Sequence, residues 1–219
     1  MAKLSGLESP SLLLLRFPEE SRYLIAEYLQ KYNFRIKITT PRKLRLGSFK
    51  ATNKGELPLI HINNDLGPYS FLLVFLHELA HLQVWLTHGR KVLPHGKEWK
   101  NSYHQLVLPL LAGDALSFDL QACLARFFTN SKASFHRDIV FQRLLHQLDG
   151  KGELLMLKDI PGKSDFCLSD GRRMIKLERI RTRYKCYCPS NRKYYLVSPA
   201  AQVFLNNIPG VEQLGMANS

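Results

Sequence analysis

The chain has 219 residues, 45% hydrophobic and 22% charged, and its 31 Lys and Arg outnumber 18 Asp and Glu for a net charge of +13. This apolar share excludes wholesale disorder, and the length can bury a core in one or two domains without disulfides, so four cysteines point to a reducing compartment. The apolar run 11–15 is broken by Arg16 and Pro18 before a signal-peptide core forms, and no run approaches the ~20 apolar residues that span a bilayer. A soluble, cytoplasmic protein with no membrane partner is expected.

Pro18-Glu19-Glu20 opens an amphipathic helix, with acids in its first turn and Tyr23, Leu24, Tyr28 and Leu29 at helical spacing. Phe34, Ile36 and Ile38 alternate with Arg35 and Lys37, the period-two pattern of a half-buried strand. Residues 44–49 and 57–62 read as further short strands, punctuated by Pro41, Gly47 and the turn at Asn53-Lys54-Gly55. A long apolar helix is predicted over 69–88, stopped by Gly89, and Pro94-His95-Gly96 starts another that runs through Trp99 toward Leu111. Two more helices are expected over 115–128 and 134–148. Beyond Gly150 the pattern changes to turns and alternation at 154–157, 166–168, 174–188 and 194–197, a small β-rich unit. The fold class is α+β, divided into 1–111, a helical segment 112–150, and 151–219.

The positive charge is concentrated. Window 35–54 holds Arg35, Lys37, Arg42, Lys43, Arg45, Lys50 and Lys54 with no acid, and window 172–193 holds nine cations against Glu178 alone. Together they exceed the net charge of the whole chain, so the excess is two patches suited to polyanions, the plainer alternative being a solvated surface. In the second window Arg179, Arg181, Arg183 and Lys185 are spaced by two, which on one strand puts all four on one face, near Tyr187, Tyr194 and Tyr195. With Arg42, Lys43 and Arg45 they are candidate nucleic-acid contacts, offering phosphate neutralisation and stacking but no base reading. A strand charged against aggregation is the competing account.

His77-Glu78-Leu79-Ala80-His81 is an HExxH motif on the long predicted helix. Histidines at i and i+4 share a face and can reach one metal ion, while Glu78 is placed to take a proton from an attacking water. A catalytic zinc needs a third protein ligand. His88 returns to the same face but lies about 10.5 Å further along an intact helix, too far for a shared ion. His95 follows the Gly89 break and can fold back over the first helix. Glu98 and His104 are weaker rivals.

The run 77–100, HELAHLQVWLTHGRKVLPHGKEWK, with HExxH followed by Pro-His-Gly and Gly96-Lys97-Glu98-Trp99, resembles the SprT-like family of Spartan-type zinc metallopeptidases. The resemblance implies a zincin-like domain over 1–111, its HExxH helix packed on a small sheet, with one catalytic Zn²⁺ on His77, His81 and His95 and Glu78 as general base. It implies that the strand containing His61, Ile62 and Asn63 pairs with an extended substrate backbone. It also implies a C-terminal zinc ribbon, of which Cys186 and Cys188 supply one cysteine pair and no second follows, so a ribbon-like hairpin without metal is expected. The function implied is endoproteolysis of proteins bound or crosslinked to DNA, in DNA–protein crosslink repair. The alternatives are a non-proteolytic DNA-binding module with a structural metal, and a hydrolase of a small substrate.

Overall fold

A computed structural model describes residues 3–4, 10–42, 45–53, 55–113, 116–129, 139–152, 154–168 and 170–205. The chain divides into two units, 1–152 and 153–219.

The first unit runs β1 (Lys3–Leu4), α1 (Pro10–Leu14), α2 (Arg22–Lys31), β2 (Arg35–Thr39), β3 (Gly47–Lys50), β4 (Leu59–Asn63), α3 (Pro68–His88), α4 (Lys97–Ala112), α5 (Phe118–Thr129) and α6 (Ile139–Leu148). Its sheet has the order β1-β2-β4-β3, with β1, β2 and β4 parallel and β3 antiparallel to β4. Strand alternation sorts the side chains into two faces. Ile36, Ile60, Ile62 and Phe49 join α3 in one apolar cluster, while Arg35, Lys37, Ser48, Lys50 and His61 take the opposite face.

Helix α3 is the centre of this unit. Phe71, Leu72, Phe75, Leu76, Leu79 and Leu82 are fully buried along it, and Gly89, in the left-handed region at φ 61°, ends it with its N–H on the Trp85 carbonyl. With 21 residues and a mean hydropathy of 1.3 over its most apolar window, α3 does reach bilayer-spanning length and composition, unlike the runs weighed from sequence. Half of that window is buried inside the protein, and two histidines and a glutamate interrupt it, so α3 is a core helix.

In α2 the buried residues are Ile25, Tyr28 and Leu29, whereas Tyr23 is 78% exposed, so the apolar stripe is rotated from the expected one. The Tyr28 hydroxyl donates to the Leu106 carbonyl at 3.0 Å and ties α2 to α4. Segment 112–150 packs into the same core as the sheet: Leu116, Leu120, Leu124, Phe141 and Leu145 belong to the cluster around α3. Asp149, just beyond α6, accepts from the Tyr69 and Ser70 backbone N–H groups at 2.8 and 3.2 Å, capping α3 from another element. Positions 115 and 134, where helices were expected to begin, lie outside the described residues, as do Lys43, Leu44 and Lys54.

The second unit is an antiparallel sheet of β5 (Asp165–Leu168), β6 (Arg173–Ile180), β7 (Arg183–Cys188), β8 (Lys193–Val197) and β9 (Val203–Leu205), in the order β8-β7-β6-β5-β9. Leu157, Ile160, Phe166, Met174, Cys186, Cys188 and Val203 form its own core. Cys186 and Cys188 sit in that core on one strand face. Opposite Cys186 the chain buries Lys176, whose Nζ donates to the Ile160 carbonyl at 2.6 Å and lies 4.1 Å from the Tyr184 ring centroid. Residues 154–157 form only a bridge, Met156 with Gln202.

The segment 174–188 is a hairpin rather than one strand, turning at Arg181, whose φ is 53°. This overturns the single row of four cations. Arg179 pairs with Tyr184 and Ile180 with Arg183, so Arg179 lies on the face opposite Arg183 and Lys185, and Arg181 belongs to the turn. Three of them are engaged within the unit: Lys185 pairs with Glu178 at 3.2 Å, Arg183 reaches the Leu196 carbonyl, and Arg179 Nε donates to the Arg181 carbonyl at 3.2 Å.

Candidate metal centre

One helix and one loop build this site. His77 and His81 are one turn apart on α3, and the chain reverses after Gly89 so that His95, at φ 59°, returns over them just before α4 begins. His95 Nε2 lies 3.0 Å from His81 Nε2 and 3.1 Å from His77 Nε2. An imidazole nitrogen offers either one N–H or one lone pair, so His95 Nε2 cannot satisfy both neighbours as hydrogen bonds. Three lone pairs aimed at one cation can. Nitrogens 2.0–2.1 Å from a tetrahedral ion stand about 3.4 Å apart, close to the spacing here. Among the described residues this trio is the grouping of three ligand atoms within 4.8 Å of one another.

The trio rests on an aromatic floor. Trp99, buried in the first turns of α4, has its ring centroid 4.6, 5.4 and 4.7 Å from those of His77, His81 and His95, and its Nε1–H donates to the His77 carbonyl at 3.3 Å. Tyr103 stacks beneath Trp99, and Ser102 donates to the Ala80 carbonyl, holding α4 against α3. Burial, with His95 adding to it, pulls the His81 pKa down to about 4, and burial lowers that of His95. Both shifts favour the neutral imidazole that a metal ligand must present.

Glu78 is 6% exposed and faces β3. Burial raises its pKa to about 7, against the opposing pull of the Phe49 backbone N–H and the charges of Arg42 and Arg45. Gly47 makes room for it. A Cβ at residue 47 would lie 2.6 Å from Val74 Cγ1 and 2.8 Å from Glu78 Oε1. Gly47→Ala is thus expected to push Glu78 out of place, lowering any Glu78-dependent rate at least tenfold with metal content unchanged. Overpacking here costs about 1–3 kcal/mol. Parallel activity and metal assays check this, and a native rate would show that the carboxylate has slack.

Residues 28–110 match the model of the SprT-like family. This region is similar to a SprT-like domain. No curated protein and no solved structure matches the chain significantly. The match includes all three histidines of the trio and Glu78.

Other sequence-derived candidates fall elsewhere. His88 and Glu98 line a separate open cavity of about 380 Å³ beside Tyr32, Gln83 and Ser102, and His104 stacks on Phe128 at 4.7 Å. Strand β4 is hydrogen-bonded to β2 on one side and β3 on the other, so it has no open edge for a substrate strand. Ile62 is buried in the core. His61 lies on the sheet face away from Glu78, and Asn63 is fixed by Arg42. The edge beside Glu78 belongs to β3.

Arg42 is not a free phosphate contact either. Its Nε donates to Asn63 Oδ1 at 3.1 Å and its Nη1 to Ser48 Oγ at 3.3 Å, pinning the loop before β3. Arg45 is exposed, and Lys43 lies outside the described residues. Sequence reasoning overlooked Gly47 as a spacer and Trp99 as the floor under all three rings. A glycine inside a strand pattern and the tryptophan of the HGxxW run were the signals for them.

Proposed function

We propose that the chain is a zinc-dependent endopeptidase of the SprT type, built on a zincin-like fold, that hydrolyses peptide bonds in proteins bound or crosslinked to DNA. The observation that carries this reading is Glu78, a buried carboxylate with its pKa near 7, next to His77 on the helix that presents two of three converging imidazoles. A purely structural metal site has no use for such a base, which weighs against a DNA-binding module without proteolysis.

His77, His81 and His95 would hold one zinc ion, because three imidazoles at this spacing suit a zinc site. Zinc bound there supplies Lewis acidity, polarising a carbonyl oxygen and lowering the pKa of water. Glu78 takes the proton from the attacking water and delivers it to the departing nitrogen, so the C–N bond breaks with a neutral amine leaving. The outer edge of β3 has no strand partner among the described residues and adjoins Glu78 through Gly47 and Phe49. An extended substrate backbone added to that edge would pass the catalytic base. The two basic windows support the DNA part of the proposal.

The test is cleavage of a DNA-binding protein by the full chain, zinc-loaded or chelated, with and without DNA. Zinc-dependent cleavage, faster when the substrate is on DNA, is expected. A full rate after chelation would contradict the mechanism. Equal rates with and without DNA would remove the DNA-bound substrate from the proposal.

A further inference from the structure

The sheet face turned away from α3 has no counterpart in the proposed peptidase chemistry. Strand alternation gathers the first basic window there. Arg35 and Lys37 project from β2, Lys50 from β3, and His61 stands between them on β4, in register with Lys37 on one side and Ser48 on the other. Arg42 folds onto the same face through Ser48 and Asn63. Lys37 and Lys50 are exposed although Lys37 belongs to an interior strand, so nothing among the described residues covers that position.

Window 35–54 contributes no acid to this face. The groups acting on the His61 imidazole are Arg42, Lys37 and Lys50, and with burial as the larger cause they lower its pKa. Two guanidinium nitrogens, Arg35 Nε and Arg42 Nη2, are shielded from solvent and have no hydrogen-bond acceptor. The charged groups acting on His61 are thus all cations. Strand geometry also spreads the cations as an array. Arg35 and Lys37 are about 6.7 Å apart along β2, and β3 lies about 9.6 Å across from it. A single small anion cannot meet all of them, whereas a chain of regularly spaced phosphates can.

We infer that the outer face of the β2-β4-β3 sheet is a nucleic-acid-binding surface, on which Arg35, Lys37 and Lys50 contact successive phosphates of a DNA backbone. It lies across the sheet from the metal centre. A bound strand there leaves the β3 edge and the His95 side open, so binding and cleavage are separable. The inference deepens the DNA-bound substrate of the proposed function, yet its readout needs no peptidase activity.

The experiment is equilibrium binding of the full chain to labelled single-stranded and duplex oligonucleotides across a salt series. Lys37→Ala/Lys50→Ala is compared with Lys31→Ala/Lys158→Ala, which removes the same charge from exposed positions elsewhere. The sheet-face pair is expected to weaken binding at least tenfold and to reduce the salt slope by about 1.4 for single strands, two contacts' worth. The control pair should stay within about twofold of the native chain. Lys37→Glu alone, expected to lose more than either single alanine, serves as the second variant if the double variant misfolds. Equal behaviour of the two pairs would overturn the assignment. So would a polyglutamate peptide, or vesicles of anionic lipid, bound as tightly and with the same dependence on Lys37 and Lys50. Whatever the outcome, Glu78-dependent cleavage of a DNA-free substrate is unaffected, which keeps this inference apart from the peptidase reading.

Discussion

Glu78→Gln is expected to remove about 10²–10⁴-fold of the proposed peptidase rate while leaving the metal content unchanged. The substitution is nearly isosteric, and the amide oxygen can still accept from the Phe49 backbone N–H that now faces the carboxylate. All three imidazoles pack against Trp99, which the substitution leaves untouched. What the amide cannot do is take a proton. Metal content measured beside cleavage of an unfolded protein substrate separates the two effects. Undiminished cleavage by the variant would sink the role given to Glu78, and loss of zinc would mean that the carboxylate also supports the ligands.

His95→Ala gives the second large effect, a fall in zinc affinity well beyond the 10–100-fold typical of losing an outer hydrogen-bond partner. Two histidines on one helix remain, a pair too few for a stable tetrahedral site. His88→Ala and His104→Ala, which alter the rivals weighed from sequence, should leave affinity unchanged. Competition titration against a chromophoric chelator reads all three. Native affinity in His95→Ala would reopen the choice of third ligand. The pH dependence has a definite sign. Because the folded-state pKa values of His81 and His95 are lowered, protons compete for the lone pairs only at low pH. Zinc affinity of the native chain should therefore hold through the usual histidine range near 6.5 and decline toward pH 4.

The helix that presents the metal ligands was legible because its information is local. Five consecutive residues and a 3.6-residue period place His77, Glu78 and His81, and the Gly89 stop with Pro94-His95-Gly96 signals the reversal that returns His95. The sheet was not legible at the same level. Each strand could be read from its own alternation, but the order β1-β2-β4-β3 depends on pairings between distant segments. That order alone makes β4 interior and β3 the edge. The substrate strand was misplaced for this reason, and His61 with it.

The row of arginines failed differently. Spacing by two is decisive only while the chain stays extended, and a non-glycine residue in the left-handed region, Arg181, carries no strong sequence mark. The two-residue turn at 181–182 then sets Arg179 opposite Tyr184, on the face away from Arg183 and Lys185. Arg42 illustrates a third limit. A cation in a basic run reads as a surface charge until its guanidinium is seen to hold Asn63 and Ser48.

The unequal mounting of the three histidines bears on how long the ion stays. His77 and His81 are anchored on a core helix whose opening demands disruption of the whole first unit, whereas His95 is exposed on a connection with a left-handed backbone. His95 would accordingly be the ligand most easily withdrawn from an ion held by the trio. The residence time of such an ion would then depend on the stability of that connection more than on that of the core.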